Sequence, residues 1–118
     1  LCTELANIAR KTIVGNGMNP ETQLGPVQNP AQLAFVQELA ADARAHGARF
    51  LSGGLVVDGI GYFYEPTIVA DVTDGLRLVD EEPFGPILPV IKYSDIDDVI
   101  RRANNNPNGL GGSIWSND

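Results

Sequence analysis

The chain is 118 residues long, with 15 Asp+Glu against 8 Lys+Arg for a formal charge of −7, and 43% of it is hydrophobic. That apolar content is too high for a disordered tail, and the acidic balance argues against nucleic acid, which needs clustered Lys/Arg to neutralise phosphates. A single Cys excludes an internal disulfide framework, no apolar run approaches the roughly 20 residues that span a bilayer, and a soluble, cytoplasmic globular chain is expected.

Leu1, Leu5, Ile8 and Ala9 recur at helical spacing and predict an opening helix, with Arg10 and Lys11 in its last turn. No cap precedes Leu1, so the chain is expected to be a piece of a larger protein. Val14 to Pro26 is turn-rich. Asn29 then offers an N-cap, Pro30 sits at the first helical position, and Gln32 falls where a capping box would use it. Leu33, Val36, Ala40 and Ala43 form the apolar stripe of this second helix, and Gly47 stops it after His46. Arg49 to Ser52 predicts a short strand running into a turn at Gly53-Gly54.

Residues 62–70 are aromatic and β-branched, with Pro66 restricting them to an edge or interrupted strand. Ile87 to Lys92 is a second apolar run, broken by Pro89. Ser94 opens a last helix with Ile96, Val99, Ile100 and Ala103 on one face, acidic residues at its start and Arg101 and Arg102 near its end. Gly112 to Ser116 predicts a closing strand. Helices alternating with short strands give an α/β fold class.

Few residues invite chemistry. Cys2, on the opening helix with no charged neighbour to activate it, is expected to pack as a small buried hydrophobe. His46, without a second His or a nearby Cys, is expected to cap its helix and bind no metal. Gly109-Leu110-Gly111-Gly112 follows a helix and precedes a strand, the reverse of the order that aims N–H groups at a pyrophosphate. Gly15-Asn16-Gly17 fails in the same way, and both are expected to be turns.

The segment Asp80-Glu81-Glu82-Pro83-Phe84-Gly85-Pro86 is different. Three carboxylates run into two prolines that stiffen the backbone, an aromatic, and a glycine that permits close approach. A carboxylate there could accept hydrogen bonds from the vicinal hydroxyls of a ribose, with a ring beside it. On spacing alone, a solvated acidic loop with Phe84 packed into the core is the simpler expectation.

Glu81-Glu82-Pro83-Phe84-Gly85-Pro86 matches the E-E-x-F-G-P motif of the NAD(P)-dependent aldehyde dehydrogenase superfamily. Gly61-Tyr62-Phe63 with Glu65-Pro66-Thr67-Ile68 resembles its G-Y-F-x-x-P-T stretch. Ala103-Asn104 with Gly109-Leu110 resembles its A-N-x-x-x-x-G-L. Gly15-Asn16-Gly17 followed by Leu24-Gly25-Pro26-Val27 is similar to its loop ahead of a long helix.

The resemblance implies that residues 1–118 are part of the C-terminal half of that family's catalytic domain, helices packed on a mixed or parallel sheet. It implies NAD or NADP as cofactor, with Glu82 on the nicotinamide-ribose hydroxyls and Phe84 beside the ribose and nicotinamide. Gln32 falls near a family position that touches the cofactor ribose, although its capping-box place explains it equally well. The family's reaction oxidises an aldehyde to a carboxylic acid. A cysteine thiolate attacks the carbonyl, hydride passes to the nicotinamide, and a glutamate activates water to hydrolyse the thioester.

That nucleophile lies upstream of the opening helix, so Cys2 does not match it. The general base and the Rossmann-type cofactor domain lie further upstream. No catalytic residue is therefore expected in this chain, and the isolated fragment is expected to be inactive. The resemblance further implies a homodimer or homotetramer for the full-length protein. The alternative is a non-catalytic structural or interaction protein that retains the fold.

Overall fold

The computed structural model describes residues 1–117. In chain order the elements are α1 (Cys2–Lys11), α2 (Pro30–Ala45), β1 (Arg49–Ser52), β2 (Thr67–Ala70), α3 (Arg77–Asp80), β3 (Ile87–Val90) and α4 (Ile96–Ala103). The strands form one mixed sheet in the order β1-β2-β3, antiparallel between β1 and β2 and parallel between β2 and β3. The α/β expectation holds, and so does the mixed sheet.

α2 begins as its sequence dictates. Asn29 Oδ1 accepts from the Gln32 backbone N–H at 2.8 Å, and Pro30 sits at the start, where its missing N–H costs nothing. Its far end closes on Gly47 at φ +82, with the Ala48 N–H reaching back to the Ala43 carbonyl at 3.0 Å. Only a glycine adopts that left-handed backbone without penalty. The buried stripe of α2 is Val36, Leu39, Ala40 and Ala43. Leu39 joins the expected set, and Leu33 stays only half-buried against it.

Along with α2, the core takes in Val27, Tyr64, Val69, Val72, Leu78 and Ile87. α1 lies on β1 and β2 and buries Ala6 and Ala9. The expected stripe of α1 is thereby rotated. Leu1 and Ile8 are exposed, because the close approach of helix to sheet selects the two alanines.

Thr67 to Ala70 is buried throughout and is the central strand, not an edge. Pro66 sits just before the paired segment, so its missing N–H leaves no gap in the ladder. Hydroxyls stitch this junction. Ser52 Oγ donates to the Pro66 carbonyl at 3.3 Å and accepts from the Ile68 N–H at 3.2 Å, while the Gly54 N–H donates to Thr67 Oγ1 at 2.8 Å. Pro89 does not break its run either, since β3 is an edge strand and tolerates a residue without a donor.

One expectation fails at the C-terminal end. Gly112 to Ser116 forms no strand and is exposed. The Ile96, Val99, Ile100, Ala103 face of α4 exists as a pattern, but none of its residues is buried. The cap of α4 is Asp95, one residue after the expected Ser94, and its carboxylate accepts from the Asp98 N–H at 3.1 Å.

Candidate functional site

The segment that follows α3 sorts its three carboxylates by what each one holds. Asp80 accepts from the Gly75 N–H at 3.3 and 3.1 Å and closes the loop ahead of α3. Glu81 takes Arg77 Nε at 2.6 Å and Nη2 at 3.1 Å, a bidentate pair at i,i+4. The guanidinium holds the Glu81 carboxyl below the usual carboxylate range, chiefly through that hydrogen bond. Glu82 is exposed and makes no hydrogen bond or ion pair among the described residues. Only Glu82 is free.

Four anchors fix the backbone around it. Glu81 is tied to Arg77, whose guanidinium also lies over the Phe35 ring at 5.9 Å. The Pro83 carbonyl accepts from Gln32 Nε2 at 2.6 Å. Gly85 sits so close to α2 that a Cβ there would lie 2.5 Å from Val36 Cγ2. The Pro86 carbonyl accepts from the Thr67 N–H at 2.8 Å and joins the segment to the central strand. Between these anchors Phe84 is held at φ +40, a region side chains seldom adopt, and 63% of it is exposed.

The expectation that Phe84 packs into the core is therefore overturned. Gly85, not Phe84, makes the contact with Val36, and the positive φ turns the ring away from the core. Glu82 also borders an open cleft of about 510 Å³ whose wall includes Pro83, Pro89, Val99, Arg102 and Asn106.

Gln32 departs from its expected role as well. Its backbone N–H meets the Asn29 cap, but its side-chain amide spends its N–H on Pro83, 51 residues away. The reciprocal arm of a capping box is replaced by a tether to the acidic segment.

Cys2 is half-buried and not a core residue. It lines a groove with Arg49 and Asp71, where Arg49 is committed to Asp71 at 2.7 Å. His46 is the C-cap of α2, with Nδ1 2.9 Å from the Asp42 carbonyl. The glycines at 15 and 17 and at 109 to 112 lie in loops, as expected. Among the described residues no group of three His, Cys, Asp or Glu could hold a metal ion. Nor is any helix of the described chain long and apolar enough to cross a membrane.

Arg77 is the residue that sequence reasoning missed. Its spacing to Glu81 is the usual helical ion-pair interval, and that was the one available signal. The partner of Gln32 carried no local signal.

The profile of the aldehyde dehydrogenase family matches residues 1–118. This chain belongs to the aldehyde dehydrogenase family. It is 40% identical over 114 residues to betaine aldehyde dehydrogenase from Cereibacter sphaeroides, covering 97% of this chain and 24% of that protein. Aldehyde dehydrogenase 1A1 from Bos taurus is 38% identical over 110 residues, covering 93% of this chain and 22% of the relative. The solved NAD+ complex of an aldehyde dehydrogenase from Bacillus cereus superposes with a TM-score of 0.87 at 35% identity, over 98% of this chain and 23% of that one. The chain thus spans about a quarter of the length of the family members it matches.

The residues present fit a nicotinamide nucleotide. A free, exposed carboxylate offers acceptors for two vicinal hydroxyls, and the exposed Phe84 face lies two residues on along a fixed backbone.

Proposed function

We propose that this chain supplies the nicotinamide-ribose wall of an NAD(P)-dependent aldehyde dehydrogenase that oxidises an aldehyde to a carboxylic acid. In this reading residues 1–118 are part of the catalytic domain. The thiol nucleophile, the general-base carboxylate and the Rossmann-type domain belong to other parts of the same enzyme. Cys2 has no catalytic role. A cytoplasmic location and a homodimeric or homotetrameric assembly complete the proposal.

The observation that carries it is the sorting of carboxylates. Asp80 and Glu81 are committed to Gly75 and Arg77, and Glu82 alone is left with its acceptors free. Glu82 would accept from both ribose hydroxyls and so limit rotation of the nucleotide. Phe84 would offer its ring face beside the ribose and nicotinamide. The bound cofactor supplies the hydride acceptor, and the residues of this chain keep that acceptor at one angle and distance from the substrate. Neither side chain exchanges a proton with substrate. Their contribution is orientation, which lowers the entropic part of the barrier.

Glu82→Gln in the full-length protein tests this. A hydrogen bond to a charged group is worth about 1.5–3 kcal/mol, so hydride transfer is expected to slow by roughly 10- to 100-fold. The measurement is single-turnover formation of the reduced cofactor at saturating aldehyde. Unchanged turnover together with unchanged cofactor affinity would remove Glu82 from the site.

A further inference from the structure

We propose that Gln32 is a positioning residue that aims Phe84 by pinning the Pro83 carbonyl. The proposal deepens the reading of Glu82 and Phe84 given above and rests on it for its link to the cofactor.

One torsion, the φ of Phe84, sets the direction of its ring. The peptide joining Pro83 to Phe84 is planar, so fixing its carbonyl oxygen fixes the whole plane. The φ of Phe84 is the rotation of that residue's Cα substituents against this plane. Gln32 Nε2 holds the oxygen at 2.6 Å from the first turn of α2. On the other side of Phe84, Gly85 is wedged against Val36, one turn further along the same helix. Phe84 is therefore twisted between two points on one rigid element, and its φ of +40 is the consequence. Released at Pro83, the residue would return to the negative φ that side chains favour, and its ring would swing.

The sequence supports a dedicated role. Asn29 already caps α2 with its own side chain, so the Gln32 amide is not needed for the helix end. Pro83 cannot shift its φ to compensate, because its ring fixes that angle. No other side chain among the hydrogen bonds of the described residues holds the Pro83 carbonyl. A strained conformation persists only where its surroundings over-determine it, and Gln32 provides one of the two determinants.

The test uses the full-length protein with 4-fluorophenylalanine at position 84, in the background of Gln32→Glu and of Gln32→Met. Both variants lack the N–H donor. In the cofactor-free protein, 19F NMR is expected to show the position-84 resonance displaced toward its denatured-state value in both. With cofactor and aldehyde, kcat is expected to fall by about three- to tenfold in both, the equivalent of one neutral hydrogen bond, with the aldehyde KM unchanged. An unmoved resonance in both variants would overturn the proposal. So would full kcat in Gln32→Glu with loss in Gln32→Met, since a carboxylate could still accept from ribose hydroxyls and the role would then be direct. If instead Glu82→Gln is silent, the cofactor reading fails, while the 19F result still decides the clamp.

Discussion

Helices α2 and α4 make an instructive pair. Both space apolar residues at three and four, both are capped by an Asx side chain, and α4 separates polar from apolar residues more sharply than α2. Yet α2 buries Val36, Leu39, Ala40 and Ala43, while Ile96 and Ile100 of α4 remain 67% and 52% exposed. The difference lies in what surrounds them. α2 is met by α3 and shares one core cluster with Tyr64, Val69 and Ile87, whereas α4 is tied to the body through Arg102 on Asp74, at 2.5 and 3.1 Å. An amphipathic pattern states a demand for cover, and topology alone supplies it.

The largest effect separates the two helices directly. Leu39 is fully buried, so Leu39→Ala is expected to cost about 2–5 kcal/mol through lost transfer energy and the cavity left behind. Ile100→Ala trims a side chain that is 52% exposed and is expected to cost far less, about 0.5 kcal/mol. Urea unfolding of the 118-residue chain, with the slope checked for constancy, reads both values. Equal costs would mean that α4 has a partner in solution, and the comparison would collapse.

Glycines sharpen the same contrast at a smaller scale. Gly53 holds φ +61 beside the central strand, and a Cβ there would lie 2.5 Å from the Pro66 carbonyl oxygen. Backbone cannot step aside as a side chain can. Gly53→Ala is expected to destabilise by about 2–4 kcal/mol, combining left-handed strain with overpacking. Gly111 lies in the C-terminal loop with nothing within 4 Å of a Cβ. Gly111→Ala is expected to be neutral, or to stabilise by about 0.4–1 kcal/mol through the unfolded state. Thermal midpoints of the two variants against the parent chain settle the order.

This contrast also marks where the sequence could be read. α2 was legible to the residue, because Asn29, Pro30 and Gly47 act locally and their chemistry is the same in any fold. β1 and β3 were legible as apolar runs, but not their neighbours. The central place of β2 depends on pairing with both neighbours across the sheet, which becomes possible because Pro66 falls just before the paired residues, and the hydroxyls of Ser52 and Thr67 fasten that junction. At the site, the motif around Glu82 and Phe84 was visible as a string of residues. The commitment of Glu81 to Arg77, the exposure of Phe84 and the reach of Gln32 to Pro83 were not. Each of these is a contact between separate elements, and no local pattern encodes whether Phe84 or Gly85 will meet Val36.

The smallest effect concerns the tether of α4 and its dependence on pH. Arg102 holds the Asp74 carboxyl below the usual range, first through their hydrogen bond and then through charge. A carboxylate depressed in the folded state favours folding above its ordinary titration range, and that contribution disappears as pH falls through the depressed value. Both partners reach solvent, so the pair is screened and its weight is modest. Acidification is therefore expected to loosen α4 while the β1–β3 ladder, held by burial and backbone hydrogen bonds, persists. Amide NMR signals of Val99 to Ala103 should move below the ordinary carboxylate range before those of Thr67 to Ala70 do. Asp74→Asn should bring most of that movement to neutral pH. If α4 and β2 respond together in both proteins, the helix is not held by this pair, and its contact through half-buried Val99 must carry the docking instead.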